Sequence, residues 1–424
     1  MKRNILVFPC GSEIGLDIYS SVRYSTHFHL IGGSSVDDHG RYVYEDYIPN
    51  IPFVNSKDFI PTISRIVKER HIDAIYPAMD IAISEFKKHE DELGCRVVAS
   101  PVETTQICLS KETTYIKLKD YIRTPKVYHP EKIDKSSFPV FAKPIVGYGA
   151  KGTKMLNSQD EVDSYIKERD DLLILEYLPG EEFTVDCFTN KEGKLLYSAA
   201  RKRNRIKDGI SVNTYFVENQ EEFKSIAEKI NERIKFRGAW FYQVKRDKNE
   251  ELCLLEIASR LGGSSLLSRA VGVNFALLSL FDIFEYDVSI NKNEYYVELD
   301  RALENKYKTN IKFSVVYCDY DDCLILDKNK VNVDMIKFLY SCINRGKKII
   351  LLSKHDGDLR KELKNFRLDN LFDEVVHIKQ GEDKANYIKF KDSVFIDDSN
   401  AERVNIKNKL NIPVFSPEMI DVIL

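Results

Sequence analysis

Short apolar runs alternate with amphipathic stretches over the first hundred residues. Runs at 4–9, 28–32, 74–77 and 95–99 have strand length, while 14–23, 59–70 and 81–93 repeat apolar positions every three to four residues. Strands that alternate with helices predict a doubly wound α/β domain built on a parallel sheet. From residue 110 to about 303 the pattern shifts to longer strands, hairpins and two amphipathic helices, the mark of an α+β region. After a short polar joint at 305–310 alternation returns. Strand runs fall at 313–317, 347–353, 374–378 and 393–396, with helical patterns within 324–345 and at 358–366. Domains are therefore expected at 1–109, 110–305 and 310–424, a division that suits a chain of 424 residues. No internal repeat or low-complexity tract interrupts it.

An apolar fraction of 43% and a charged fraction of 30% are those of a globular protein able to bury real cores. The net charge of -3 gives no support for nucleic-acid binding or a membrane-surface role. No segment approaches membrane-spanning length. The apolar run at 5–8 ends at Pro9, too short for a secretory signal, and reads as a first strand. Eight cysteines are dispersed, with no Cys-x-x-Cys pair and no histidines at zinc spacing. They read as small buried hydrophobes in a reducing cytoplasm. Small molecules are the partners this leaves, and a homo-oligomer is allowed.

Chemistry concentrates after the run 313–317, where Asp319-Tyr-Asp321-Asp322 follows. Ligands of open α/β sheets sit at such strand ends. Carboxylates this close repel one another unless a hard cation joins them, and Mg2+ suits an all-oxygen set. A carboxylate so neutralised can attack a phosphoryl group and form an aspartyl-phosphate. The bland alternative is an acidic turn. Three later signals bear on the choice. Ser353 ends the run 347–353, Lys384 opens a helical stretch after the turn-like Gln380-Gly-Glu-Asp, and Asp397-Asp398 end the run 393–396.

This ordered set of Asp-x-Asp, Ser, Lys and Asp-Asp resembles the haloacid dehalogenase (HAD) superfamily over residues 310–424. The resemblance implies a Rossmann-like, Mg2+-dependent phosphatase in which Asp319 is the nucleophile and Asp321 the general acid/base. Ser353 and Lys384 would hold the phosphate. Asp319, Asp321 and Asp398, with Asp397 in support, would hold the Mg2+. Where that family usually has Gly and then Thr or Val after the second aspartate, this chain has Asp322 and Cys323. Neither interval in which the family inserts a cap, 324–345 or 354–383, has room for a folded domain. A capless site is expected, one that relies on the rest of the chain to select among phosphomonoesters.

In the middle region, a strand run at 138–144 carries Lys143 and leads into Gly147-Tyr-Gly149-Ala-Lys151-Gly152. The spacing matches a dinucleotide fingerprint, yet residues 153–157 read as a second strand where that fingerprint needs a helix. A glycine-rich hairpin over polyphosphate fits, with turn N–H groups and Lys143 or Lys151 on the phosphates. A plain surface hairpin is the alternative. Next come an apolar strand at 172–176, a hinge at Glu176-Tyr177-Leu178 and an alternating strand from Glu182. Gln243 and the run Leu254-Leu-Glu256-Ile-Ala258-Ser-Arg260 follow.

This succession resembles the ATP-grasp superfamily across roughly residues 1–300, the preceding α/β domain included. The resemblance implies ATP held by Lys111 and Lys143 at its phosphates, with Gly149 and Lys151 in the covering hairpin. Glu176, Tyr177 and Leu178 would meet the adenine and Glu182 the ribose. Gln243 and Glu256 would be Mg2+ ligands, and Arg260 would contact phosphate during catalysis. One position departs: the family's Glu-x-Asn is Glu256-Ile-Ala258 here, so one metal ligand is missing. The basic run at 201–211 is expected to be either a solvated face or a wall that recognises substrate. The turn Cys10-Gly-Ser-Glu-Ile-Gly15, entering the first helix, suits an anion but not a dinucleotide.

The two resemblances imply a bifunctional enzyme. Its ATP-grasp part would pass the γ-phosphoryl of ATP to a small carboxylate, and an amine would attack the acyl phosphate. Its other part would hydrolyse a phosphomonoester. Two alternatives stand beside this: a phosphatase whose ATP-grasp part only binds nucleotide or substrate, and a non-catalytic nucleotide sensor. A single motif copy disfavours the carbamoyl-phosphate synthetase reaction, whose machinery uses two.

Overall fold

A computed structural model describes residues 2–147, 151–169, 171–207, 209–304, 306–307 and 309–423. The chain forms two compact units, Met1–Leu303 and Glu304–Leu424. None of the helices among the described residues is long and apolar enough to cross a membrane.

The first unit begins with the expected parallel sheet. Its strand order is Asp46–Ile48, Phe28–Gly33, Arg3–Phe8, Ala74–Pro77 and Arg96–Val97. The edge strand Asp46–Ile48 has no fully buried residue, so it lacks the apolar run that revealed its neighbours. The helical pattern at 81–93 is two helices, Asp80–Lys88 and Glu90–Leu93. At the first turn, the Asp38 carboxylate fills the space over Gly11, where an added Cβ would stand 2.0 Å from Asp38 Oδ1. Asp38 is fixed by the Ser34 hydroxyl at 2.7 Å and the Gly40 N–H at 3.0 Å. The anion suited to this turn is thus one of the chain's own side chains.

Asp17 lies on the buried face of the first helix, Glu13–Val22, and its Oδ2 has no hydrogen-bond partner. Burial pushes its carboxyl up to about 7, with Arg301 and Arg269 opposing the rise. Because the folded state binds this proton more tightly than the unfolded chain, the protonated acid costs little, and stability is lost as pH rises from about 4 to about 7. Asp17→Asn removes that titration. Its stability relative to the native chain is expected to improve by about 2–3 kcal/mol between pH 5 and pH 8, measured by denaturant unfolding at both values.

Two further sheets complete the first unit. Four antiparallel strands run in the order Val127–Tyr128, Leu172–Glu176, Val140–Pro144 and Lys154–Leu156. Ala142 pairs with Lys154 and Val140 with Leu156, so the glycine-rich segment joins two antiparallel strands and not a strand and a helix. Six strands form the larger sheet: Leu252–Ala258, Gly238–Arg246, Glu182–Thr189, Leu195–Lys207, Ile210–Phe216 and Glu298–Asp300. Helices beyond the two expected amphipathic ones, Gln159–Glu168 and Glu221–Arg233, include Phe275–Ile283. That helix is apolar on nearly every side and shows no stripe. It packs in one core with Ile5 and Val7 of the parallel sheet and Phe188 and Tyr197 of the larger one, tying the two layers together. Within the second core, Trp240 stacks on Phe236 with ring centroids 4.0 Å apart and donates its indole N–H to Thr189 at 2.9 Å.

The second unit is a five-stranded parallel sheet in the order Glu374–His377, Lys348–Ser353, Val315–Cys318, Ser393–Ile396 and Val414–Phe415. Alternate residues of its central strand enter opposite cores, Val316 and Cys318 on one face, Val315 and Tyr317 on the other. Both faces are therefore covered, as a parallel sheet requires. The interval after the central strand holds a small hairpin, Ile325–Leu326 with Lys330–Val331, and the helix Val333–Asn344. The interval after Ser353 holds the helix Leu359–Asn365 and the strand Glu374–His377. Neither contains a cap. At Asp322 the backbone is left-handed, with φ 47. A glycine is the usual occupant of such a conformation, and aspartate is among the side chains that tolerate it.

Candidate functional site

In the first unit, a cavity of about 230 Å³ opens between the glycine hairpin and the six-stranded sheet. The strand Val140–Pro144 brings Lys143 to it, and Lys111 enters as the first residue of the helix Lys111–Leu118. Lys143 donates to the Leu255 carbonyl at 2.7 Å and Lys111 to the Gly147 carbonyl at 2.9 Å. Burial pulls Lys143 down to about 8; the like charge of Lys111 adds to this and Glu256 opposes it. Gln243 and Glu256 face each other in register on neighbouring strands and line the same cavity. An amide and a carboxylate so placed fit a hard cation, although Ala258 adds no oxygen.

Tyr177, Leu178 and Lys151 are also in the wall. Gly149 lies outside the described residues. Glu176 lines the cavity beside Tyr177 and Leu178, and its carboxylate is held by neighbouring protein groups. It accepts from Arg123 at 2.7 and 2.8 Å and from the Lys126 N–H at 2.7 Å. Glu182 and Arg203 both line the cavity and pair with each other at 2.8 Å. Sequence reasoning missed Arg203 as an individual because it lay inside the basic run. That run is no free cationic face. Arg201 is buried against Asp186 at 2.7 Å, Lys202 meets Glu181, and Arg205 meets Asp300 at 2.7 Å.

Arg260 lies beside the first cavity rather than in its wall. It lines a second cavity of about 180 Å³, which adjoins the first through Lys111, Gly147 and Glu256. There its guanidinium donates from Nε and Nη2 to Asp80 at 2.9 and 2.8 Å. Asp80 opens the helix Asp80–Lys88, 180 residues earlier, and no local motif announced it.

In the second unit, three neighbouring strands deliver Asp319, Ser353 and Asp397 at adjacent C-terminal ends. Oxygens of Asp319, Asp397 and Asp398 lie within 4.8 Å of one another. Lys384, almost fully buried at the head of the turn Lys384–Tyr387, reaches Asp397 at 2.6 Å and Asp319 at 3.0 Å. Burial works against its charge, but the two carboxylates outweigh that and hold it above the usual lysine value. Asp397 is pushed up to about 6 by burial and by the Asp319 charge, and Asp398 is raised by burial and by Asp319 and Asp322. Three carboxylates whose oxygens lie this close fit a divalent cation, which relieves the repulsion.

Asp397, expected in support, is a full member of this acidic set, and the Asp321 carboxylate is not among the three that converge. The turn after Asp319 carries Asp321 to His355, whose Nδ1 lies 2.9 Å from Asp321 Oδ2, while Nε2 lies 3.2 Å from Glu362. Ser353 is buried and its Oγ accepts from the His355 N–H at 3.2 Å.

Comparisons with known proteins agree with the first unit's architecture. A family model described as "ATP-grasp in the biosynthetic pathway with Ter operon" matches residues 168–315. A D-alanine--D-alanine ligase of Fusobacterium nucleatum is 30% identical over 163 residues, which is 35% of this chain and 55% of that protein. A carbamoyl-phosphate synthase of Methanobrevibacter smithii is 26% identical over 188 residues, 37% of this chain and 50% of that protein. The chain thus spans about half the length of the curated relatives it matches. Among solved structures, the biotin carboxylase domain of Hydrogenobacter thermophilus 2-oxoglutarate carboxylase superposes with a TM-score of 0.59 at 13% identity. That match covers 69% of this chain and 72% of the other, which was solved with MgADP, ADP and bicarbonate. The chain carries the mixed α/β ATP-grasp fold.

Proposed function

We propose that the protein is a bifunctional enzyme, an ATP-dependent carboxylate–amine ligase joined to a Mg2+-dependent phosphomonoester hydrolase. We assign residues 1–109 to a domain preceding the ATP-grasp domain, 110–305 to the ATP-grasp domain and 310–424 to a HAD-like phosphatase domain. The observation that carries the ligase reading is the meeting of Lys111, Lys143, Gln243 and Glu256 around one cavity beneath the glycine hairpin. ATP and Mg2+ are its cofactors, a reading supported by the ligase among its relatives and by the MgADP complex of its structural neighbour. Mg2+, when bound by Gln243 and Glu256, supplies neutralisation of the nucleotide phosphates. Lys111 and Lys143 place positive charge at the phosphate end, and Tyr177 and Leu178 receive the base. ADP release that requires both an added carboxylate and an added amine tests this; release from ATP alone, unaffected by either, contradicts it.

The phosphatase reading rests on Asp319, Asp397, Asp398 and Lys384 converging at the ends of parallel strands. Asp319 is the nucleophile there. Ser353 and Lys384 bind the phosphate, and Asp321, held by His355, moves the proton on the leaving group and later on water. A cytoplasmic location goes with the eight unpaired thiols.

Ala258 favours a second reading in which the ATP-grasp part only binds nucleotide or substrate. Ala258→Asn restores the absent ligand and tests whether that position limits the metal. If that oxygen limits metal binding, the variant is expected to bind ATP at several-fold lower Mg2+, measured by calorimetry across a Mg2+ series. An unchanged Mg2+ requirement would mean that the position is irrelevant to the metal.

A further inference from the structure

We infer that His355 is a positioning residue for the acid/base step of the second unit, and that it fits the site to phosphate esters whose alcohol leaves poorly. This rests on the phosphatase reading above. His355 is bonded to that site at two points. Its Nδ1 lies 3.0 and 2.9 Å from the two oxygens of Asp321, and its main-chain N–H donates to the Ser353 hydroxyl at 3.2 Å. One residue therefore links the group that moves the proton to the group that holds the phosphate. Facing a carboxylate, Nδ1 carries its hydrogen whatever the state of Nε2. With a proton on one oxygen, Asp321 keeps the other for Nδ1.

The ring is itself held from behind. Nε2 lies 3.2 Å from one Glu362 oxygen, and the Tyr320 hydroxyl donates to the other at 2.9 Å. Tyr320 meets the imidazole edge to face with ring centroids 4.8 Å apart, and the His355 carbonyl accepts from His377 Nε2 at 2.7 Å. Gly357, at φ 142, leaves space for the ring, since a Cβ there would stand 3.2 Å from Nε2. The His355 side chain is 9% exposed and that of Asp321 45%, so the buried partner fixes the exposed one. Released from it, Asp321 is free to change rotamer, and a misplacement of about 1 Å costs on the order of 10²-fold in rate.

That cost falls unevenly on substrates. In the first step an Asp319 oxygen bonds to phosphorus, the bond from phosphorus to the ester oxygen breaks, and Asp321 gives that oxygen its proton. In the second, water bonds to phosphorus, its proton passes to Asp321, and the bond to Asp319 breaks with the electron pair returning to the carboxylate. His355 exchanges no proton in either step. A basic leaving oxygen needs the donor, whereas a stabilised phenolate departs without it.

The test uses the full chain with Mg2+ and two esters, phenyl phosphate and dinitrophenyl phosphate. kcat/KM is the readout because it stops at phosphoryl transfer to the enzyme. His355→Ala should lower it on the order of 10²-fold for phenyl phosphate and at least about tenfold less for dinitrophenyl phosphate. In an Asp321→Asn chain the same change should add nothing, because His355 acts only through Asp321. His355→Asn, whose amide N–H can stand where Nδ1 does, should lose several-fold less than alanine on phenyl phosphate, roughly the worth of one hydrogen bond. A thermal melt of each variant reports the fold. Equal losses on the two esters overturn the inference, since a merely structural residue slows both alike. So does a further loss from His355→Ala in the Asp321→Asn chain, or an asparagine variant no better than the alanine one. Failure of the phosphatase reading looks different: the native chain hydrolyses neither ester.

Discussion

Asp319→Asn is expected to lower phosphomonoester hydrolysis by on the order of 10³-fold or more while the fold survives. An amide of the same shape is no nucleophile, so the proposed aspartyl-phosphate would not form. The structure gives a second reason to expect a clean result. Asp319 sits within 4.8 Å of Asp397 and Asp398, and its charge helps to raise both of them. Neutralising it relieves repulsion, although it also weakens the contact with Lys384 at 3.0 Å. Aryl phosphate turnover alongside a thermal melt checks this. Native rates in a folded variant would remove Asp319 from the role of nucleophile.

The second large effect is expected at Lys143. Burial holds its free-state value near 8, so a growing fraction loses its charge above neutral pH. A bound polyphosphate favours the charged form and raises that value. ATP binding should therefore take up protons near pH 8 and weaken as pH climbs from 7 to 9. Lys143→Ala should cost roughly 1.5–3 kcal/mol of ATP affinity, about ten- to a hundredfold, and abolish that proton uptake. Calorimetry in two buffers of different ionisation enthalpy reads both quantities. An intact native chain that fails to bind ATP with Mg2+ present would sink the nucleotide site, and proton uptake that persists in the variant would assign it to another group.

What could be read in the sequence was whatever depended on neighbours along the chain. Apolar runs at 4–9 and 313–317 announced strands because parallel strands are buried on both faces. The glycine hairpin was legible because residues 153–157 read as a second strand where a dinucleotide fingerprint needs a helix, and Asp319, Ser353, Lys384 and Asp397 because each ends or opens an element. The misses are partnerships made by the fold. Nothing near Arg260 names Asp80, nothing near Glu176 names Arg123, and nothing near Asp321 names His355. The basic run left a solvated face and a cleft wall open, and partners made by the fold divide it: Asp186 lies beside Arg201, while Arg203, beside Glu182, lines the cavity. Short elements such as Asp46–Ile48 were invisible because a three-residue, half-covered strand carries no period.

The stacked indole of Trp240 has a practical consequence. It is the one tryptophan in the chain, and it belongs to the first unit. Excited at wavelengths that spare tyrosine, the intact protein therefore emits from the first unit alone. Loss of the Phe236 stack and of the Thr189 hydrogen bond would move that emission toward the red as water reaches the ring. Circular dichroism sees the helices of both units. Differences between the two signals during unfolding would then isolate the second unit's transition without cutting the chain.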